Sequence, residues 1–169
     1  SNLGFQMGLQ TGIPPNIIMK KSQKGVFHIQ IQSINGLKKK LNNYPHLNEL
    51  EDFLQKIEKK DLKLVLLFGS LVKGTYTQFS DIDVLCVFET EFKNRRERFM
   101  HSYQYSKGLV QTKTLTLSEL KKGLLEGNSF IHHVINEGII LYNQIDKEKI
   151  KKWIRKGQKN MTMTYFPPS

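Results

Sequence analysis

Two short groups of residues in this chain are of the types that handle phosphate and metal. Gly69-Ser70 follows the apolar run Leu64 to Phe68, and ten residues later Asp81-Ile82-Asp83 opens a second apolar run that continues to Phe88. Side chains alternate along a strand, so Asp81 and Asp83 are expected on one face. Two carboxylates that close repel each other, and water or a divalent cation must offset the repulsion. Mg²⁺ takes a few carboxylates and completes its shell with waters and phosphate oxygens. Asp81 and Asp83 are therefore candidate metal ligands and candidate catalytic residues. Charge placed directly before so apolar a strand is costly unless it has a task.

Gly69-Ser70 supplies the complementary half. Glycine lets the backbone approach a phosphate closely and adopt unusual dihedrals. The Ser70 hydroxyl and nearby N–H groups can bond phosphate oxygens. If Leu71 to Gly74 starts a helix, its positive end faces the same place, and Lys73 adds a point charge. Gly69, Ser70 and Lys73 are thus expected to bind nucleotide. A Ser-capped turn alone, or a surface Asp-x-Asp alone, is unremarkable; the pair at this spacing favours a metal–triphosphate site.

The elements that position these groups can be read from the pattern. Leu62 to Phe68 and Ile82 to Phe88 are near-continuous apolar runs, as in buried central strands. Leu47, Leu50, Phe53, Leu54 and Ile57 recur at helical spacing, predicting a helix from Leu47 to about Lys60. Glu91 to Tyr105 reads as a charged helix and Leu109 to Leu115 as a third strand. Ser118 is the expected N-cap of a helix over Glu119 to Leu125. A helix from Ser129 to Asn136, stopped by Gly138, and a strand from Ile139 to Tyr142 follow. A basic helix from Lys147 to about Gln158 carries Trp153. Toward the N-terminus, residues 1 to 24 read as an irregular arm, Val26 to Ile34 alternates like a strand, and Leu37 to Leu41 suits a short helix. The order predicts an α/β (α+β) domain with short strands in a mixed sheet flanked by helices. The expected division is an arm over 1–46, the main domain over 47–145, and a basic helix and tail over 146–169.

Composition narrows the classes. Hydrophobic residues at 38% and charged residues at 24% suit a globular domain and argue against disorder. No apolar run approaches the ~20 residues needed to span a membrane, so no membrane partner is expected. The N-terminal stretch lacks a basic region followed by an apolar one, so no secretory leader is expected either. Residues ahead of the first methionine, Met7, are set aside as candidate tag residues. The lone Cys86 excludes an internal disulfide and a Cys-based zinc site, and the cytoplasm is the expected location. The net charge of +11 attracts phosphates, on nucleic acid or on a nucleotide. The same charge also suits solvated helix faces such as Lys38-Lys39-Lys40.

The segment from Leu64 to Phe88 resembles the DNA polymerase β-like nucleotidyltransferase superfamily, and within it the minimal nucleotidyltransferase group. The signature of that group is Gly-Ser, ten residues, then Asp-x-Asp, matched here by Gly69, Ser70, Asp81 and Asp83. Lys73-Gly74 resembles the basic residue and glycine that follow. The stretches Leu117-Ser-Glu-Leu and Ile135 to Tyr142 look like the end of the same domain, so the resemblance spans about residues 47 to 145. It implies an NTP, ATP by preference, bound through Mg²⁺ or Mn²⁺ on Asp81 and Asp83. An acceptor hydroxyl would attack the α-phosphorus, and pyrophosphate would leave. The acceptor could be a protein, RNA or a small molecule; a partner protein or a homo-oligomer fits the group, and the basic surface is compatible with nucleic acid.

The resemblance also implies a third carboxylate on a later strand. The matching strand, Leu109 to Leu115, has no acid. Gln111 or Lys113 stands where it is expected. Glu119 is the nearest carboxylate, but its place at a helix start suits a capping role. Two readings follow: a nucleotidyl-transferring enzyme, or a catalytically weak or inactive module of the same fold that binds nucleotide, RNA or a partner protein.

The remaining reactive residues read as structural. His132 and His133 are adjacent, so they cannot share the i, i+4 spacing of a helical metal pair. Cys86 reads as an inert core thiol. Tyr103, Tyr105, Tyr142 and Tyr165 suit core edges better than base stacking. Trp153 suits docking of the terminal helix.

Overall fold

In the computed structural model, which describes residues 30–31 and 34–164, the two apolar runs lie side by side at the centre of a sheet. Leu62–Phe68 forms β2 and Ile82–Phe88 forms β3, with the bounds their apolar runs predict. They pair antiparallel, with Phe68 opposite Asp83. Val110–Thr116 is β4, parallel to β3. Ile139–Asn143 is β5, antiparallel to β2 on its other side. Gln30–Ile31, β1, pairs parallel with β5. The five-stranded sheet of order β1-β5-β2-β3-β4 is mixed, as expected.

Continuous apolar strands need cover on both faces, and the alternation of side chains divides the core in two. Val65, Leu67, Val84, Cys86 and Phe88 point to one face. Helices α1 (Ile34–Lys40) and α2 (Leu47–Lys56) cover it. Helix α4 (Arg95–Tyr103) packs along its β4 side. Leu64, Leu66, Leu85 and Val87 point to the other face. There they meet α5 (Leu117–Glu126), α6 (Ser129–Glu137) and α7 (Lys147–Thr164). A single turn, α3 (Ser70–Lys73), follows β2.

Local chemistry moves several boundaries. Helix α2 stops at Lys56 and not near Lys60, because the Lys59 ammonium turns back onto the carbonyls of Leu54 and Ile57, at 2.7 and 2.9 Å. Helix α4 begins at Arg95 and not at Glu91. Asn94 caps it by accepting from Glu97 N, while Phe92 packs edge-on against Phe88. Thr116, not Ser118, caps α5: it accepts from Glu119 N while the Glu119 side chain accepts from Thr116 N, a reciprocal capping box. Ile34 opens α1 and does not extend a strand, because Ile34, Leu37 and Leu41 bury at helical spacing. The expected arm over 1–24, most of the strand expected over 26–34, His28, Tyr165 and the closing prolines lie outside the described residues. Among the described residues no helix is long and apolar enough to cross a membrane.

The terminal helix docks closely. Gly157 of α7 is buried against the carbonyl of Leu124, and a Cβ there would collide with it. His132, also buried, bonds the same carbonyl through Nε2 at 2.7 Å. Trp153 packs against the apolar core beneath α7, with the Lys121 ammonium 5.7 Å from its ring centre. Both residues therefore do structural work.

Candidate active site

Gly69 and the acidic pair form one constellation. β2 ends at Phe68, and Gly69 turns the chain at φ 83°, a left-handed conformation that favours glycine. A Cβ on Gly69 would collide with the Asp83 carboxylate. Two independent constraints thus demand glycine here, and one of them is the acid itself. The turn leads into α3, where the carbonyl of Gly69 accepts from Val72 N and Lys73 N, each at 3.0 Å. The first N–H groups of a helix have no partner within it, so Ser70 and Leu71 present theirs at this turn. The Ser70 hydroxyl makes no hydrogen bond among the described residues. Lys73, the last residue of α3, is exposed, and no ion pair engages its amine among the described residues.

Asp83 is partly buried in β3, and Asp81 stands exposed immediately ahead of that strand. Burial, and then the charge of Asp81, push the Asp83 carboxyl above the ordinary aspartate range. This chain carries 26 Lys and Arg, yet none of those described pairs with either carboxylate. Two repelling acids without a cationic side chain suit a single divalent cation completed by waters and phosphate oxygens.

The position expected to hold a third carboxylate is filled otherwise. Gln111 on β4 is the register partner of Asp83, so the two share a face. Its amide nitrogen donates to the carbonyl of Gly108 at 2.7 Å. Lys113, two residues on, sits beside Leu85 in register and holds its ammonium 5.0 Å from the centre of the Phe130 ring. Glu119 is committed elsewhere, in a two-armed ion pair with Arg98 at 2.5 and 2.7 Å. That pairing holds its carboxyl below the ordinary glutamate range. Among the described residues no three His, Cys, Asp or Glu side chains gather as a metal site.

One residue beside the acids has no local signature in the sequence. Tyr44, buried between α1 and α2, donates its hydroxyl to the carbonyl of Ser80 at 2.5 Å. Burial, then Asp81 and Asp83, raise its phenol above the ordinary tyrosine value, so it remains a neutral donor. It fixes the backbone one residue before Asp81. Its ring also packs edge-on against Tyr76 and His46. Nothing in the spacing around Asn43-Tyr44-Pro45 announces this reach across 36 residues.

The other reactive side chains lie apart from the site. His101 contacts Asp61 at 3.4 Å and is wedged against Phe88 and Phe92. Cys86 is fully buried, and burial pushes its thiol well above its ordinary value, an inert state. Tyr103 stacks on Phe99. A cavity of about 560 Å³, lined by Lys63, Glu89 and Trp153 among others, lies at the opposite end of the strands, away from the acids.

The profile of the nucleotidyltransferase domain matches residues 47–160. A Methanocaldococcus jannaschii protein named as a candidate protein adenylyltransferase is 32% identical over 103 residues, covering 50% of this chain and 70% of its own. A second protein of that organism, named in the same way, is 29% identical over 105 residues, covering 60% of this chain and 100% of its own. Among solved structures, a candidate nucleotidyltransferase from Sulfolobus solfataricus is 21% identical and covers 57% of this chain and 76% of its own, with a TM-score of 0.41. With most of its length matched by the family profile, the chain belongs to the nucleotidyltransferase domain family, enzymes that transfer a nucleoside monophosphate from an NTP.

Proposed function

We propose that Asp81 and Asp83 hold one Mg²⁺ or Mn²⁺, that Gly69, Ser70 and Lys73 hold the triphosphate of ATP, and that AMP passes to an acceptor hydroxyl. The observation that carries this reading is the contact between Gly69 and Asp83: the phosphate-type turn and the unpaired acids are a single site. The acceptor hydroxyl oxygen attacks the α-phosphorus and gives up its proton to solvent, the bond from that phosphorus to the bridging oxygen breaks, and pyrophosphate leaves. A bound cation would supply charge neutralisation at the phosphates. The chain's own part is positioning: Gly69 admits the phosphates, Ser70 and the α3 N–H groups orient them, and Tyr44 holds the backbone that presents Asp81. The names of the two relatives make a protein side-chain hydroxyl the first acceptor to test, with RNA as the second. The transferring domain is assigned to residues 47–145, with Tyr44 contributed from just before it and the basic helix α7 following it. The setting is the cytoplasm.

A second reading, a module that binds nucleotide and transfers slowly or not at all, is favoured by one observation: Gln111 stands where a third acid is expected beside Asp83. Incubation with labelled ATP, Mg²⁺ or Mn²⁺ and candidate acceptors separates the two. Labelling by the wild type that is lost in the Asp81→Ala/Asp83→Ala double variant supports transfer. Equal labelling by both removes the assignment of these two acids. Nucleotide binding without labelling in the wild type selects the second reading.

A further inference from the structure

Beside the turn at Gly69 lies a pocket of about 240 Å³ that the motif residues do not account for. Gly69, Val72 and Lys73 form one wall, and Phe130, His133, Val134 and Glu137 of α6 form the other, with Phe68 among the lining residues. Phe68 is the register partner of Asp83, so the pocket opens on the acids' own face of the sheet. Its surface is mainly apolar, with two phenylalanine rings among the lining side chains. The Phe68 and Phe130 rings meet edge-on at 5.9 Å and 83°. On the β4 side, the Lys113 ammonium sits 5.0 Å from the centre of the Phe130 ring. Phe130 is thus positioned by two contacts while it remains 40% exposed.

We propose that this pocket receives the base of the nucleotide, with Phe130 as its stacking and specificity-determining residue. The inference rests on the assignment of the triphosphate to Gly69, Ser70 and Lys73, and three observations select a nucleobase as occupant. Gly69 and Lys73 belong to both the phosphate turn and the pocket wall, so a ligand anchored by its phosphates at the turn reaches the pocket without a break. The pocket is smaller than the roughly 300–1,000 Å³ typical of sites for drug-sized ligands, which suits a planar ring system better than a peptide. Its lining carries both signs: Lys73 belongs to the phosphate turn, while the Glu137 carboxylate on α6, one oxygen of which accepts from Asn136 Nδ2 at 2.9 Å, repels phosphate and has a second oxygen that can accept from an exocyclic amine of a base. Stacking on an aromatic ring is a sizeable part of base affinity in proteins that bind single strands.

Calorimetric titration of the full chain in Mg²⁺ with two probes, ATP and inorganic tripolyphosphate, tests this. The wild type is expected to bind ATP about tenfold more tightly than tripolyphosphate, the effect of one stacked base. Phe130→Ala is expected to weaken ATP about tenfold and to leave tripolyphosphate unchanged, which also shows that the variant is folded. Phe130→Trp, which keeps an aromatic face, is expected to retain the preference for ATP. Equal affinity of the wild type for the two probes, or an undiminished preference for ATP in Phe130→Ala, overturns the base pocket while leaving the phosphate assignment standing. Failure of tripolyphosphate and ATP alike to bind the wild type overturns the phosphate assignment and this inference with it.

Discussion

β3 and β4 run parallel from Ile82 beside Val110 to Phe88 beside Thr116, yet they treat charge in opposite ways. β3 is interior to the sheet and buried along nearly all its length, and its second residue, Asp83, is a carboxylate that no cationic side chain pairs with among the described residues. β4 is an edge strand; Gln111 and Lys113 sit exposed on the face that Asp83 and Leu85 occupy next door. A charge in a buried strand is expensive and persists where it has work to do. An edge strand tolerates polar side chains at no such cost. The presence of Asp83 is therefore informative, whereas the absence of an acid at Gln111 is what an exposed position permits. The site is asymmetric: one side carries the two acids, the other is neutral or basic.

The largest expected effect of breaking that asymmetry is at β3. Asp81→Ala/Asp83→Ala is expected to lower nucleotidyl transfer by roughly a thousandfold, the scale of losing preorganised charge stabilisation. Gln111→Ala, measured in the same labelling assay, is expected to change it only a few-fold. Next in size is the reverse experiment. Gln111→Asp places a third carboxylate beside Asp83, and because cation affinity follows the number of charged ligands it is expected to tighten Mn²⁺ binding by roughly tenfold. The same added repulsion lowers the melting temperature in metal-free buffer.

A smaller effect concerns pH. Burial and Asp81 hold the Asp83 carboxyl above its ordinary range in the folded protein. Ionising it therefore opposes folding: the penalty is absent below the unfolded value of about 3.9 and grows as pH rises through the folded one. Asp83→Asn is expected to melt higher than the wild type at pH 7 without metal, and to match it near the unfolded value. Added Mg²⁺ is expected to raise the wild-type melting temperature and leave the variant unmoved. Smallest is Glu119→Gln. Its pair with Arg98 is partly exposed, so denaturant unfolding is expected to show a loss of about 1 kcal/mol or less. Cation affinity should not change, which would mark Glu119 as a cap and not a displaced third ligand.

These comparisons also show what kind of information the residues carried. Leu62–Phe68 and Ile82–Phe88 were legible to the residue because buried strands are continuous in apolarity and stop where polarity begins. The mixed sheet and the helices on its faces followed from the change of period. The starts at Ser129 and Lys147 were legible, but the end of α2 and the start of α5 were not, because the decisive contacts involve side chains that fold back, Lys59 onto the end of α2 and Glu119 onto Thr116. The sequence left Gln111 or Lys113 for the place beside Asp83, since alternation puts both on one face of β4 and only the strand register selects Gln111. Tyr44 beside the acids and the packing of Phe130 on Phe68 could not be anticipated: each contact joins elements distant in sequence, which periodicity does not encode.

The proposed site requires that Asp81 and Asp83 hold a cation against a triphosphate. Calorimetric titration of ATP into the wild type and into Asp81→Asn/Asp83→Asn, with and without Mg²⁺, measures this directly. The expected result is ATP binding that Mg²⁺ strengthens in the wild type and does not strengthen in the variant. Binding indifferent to Mg²⁺ in the wild type, or equally Mg²⁺-dependent in both proteins, would contradict the assignment.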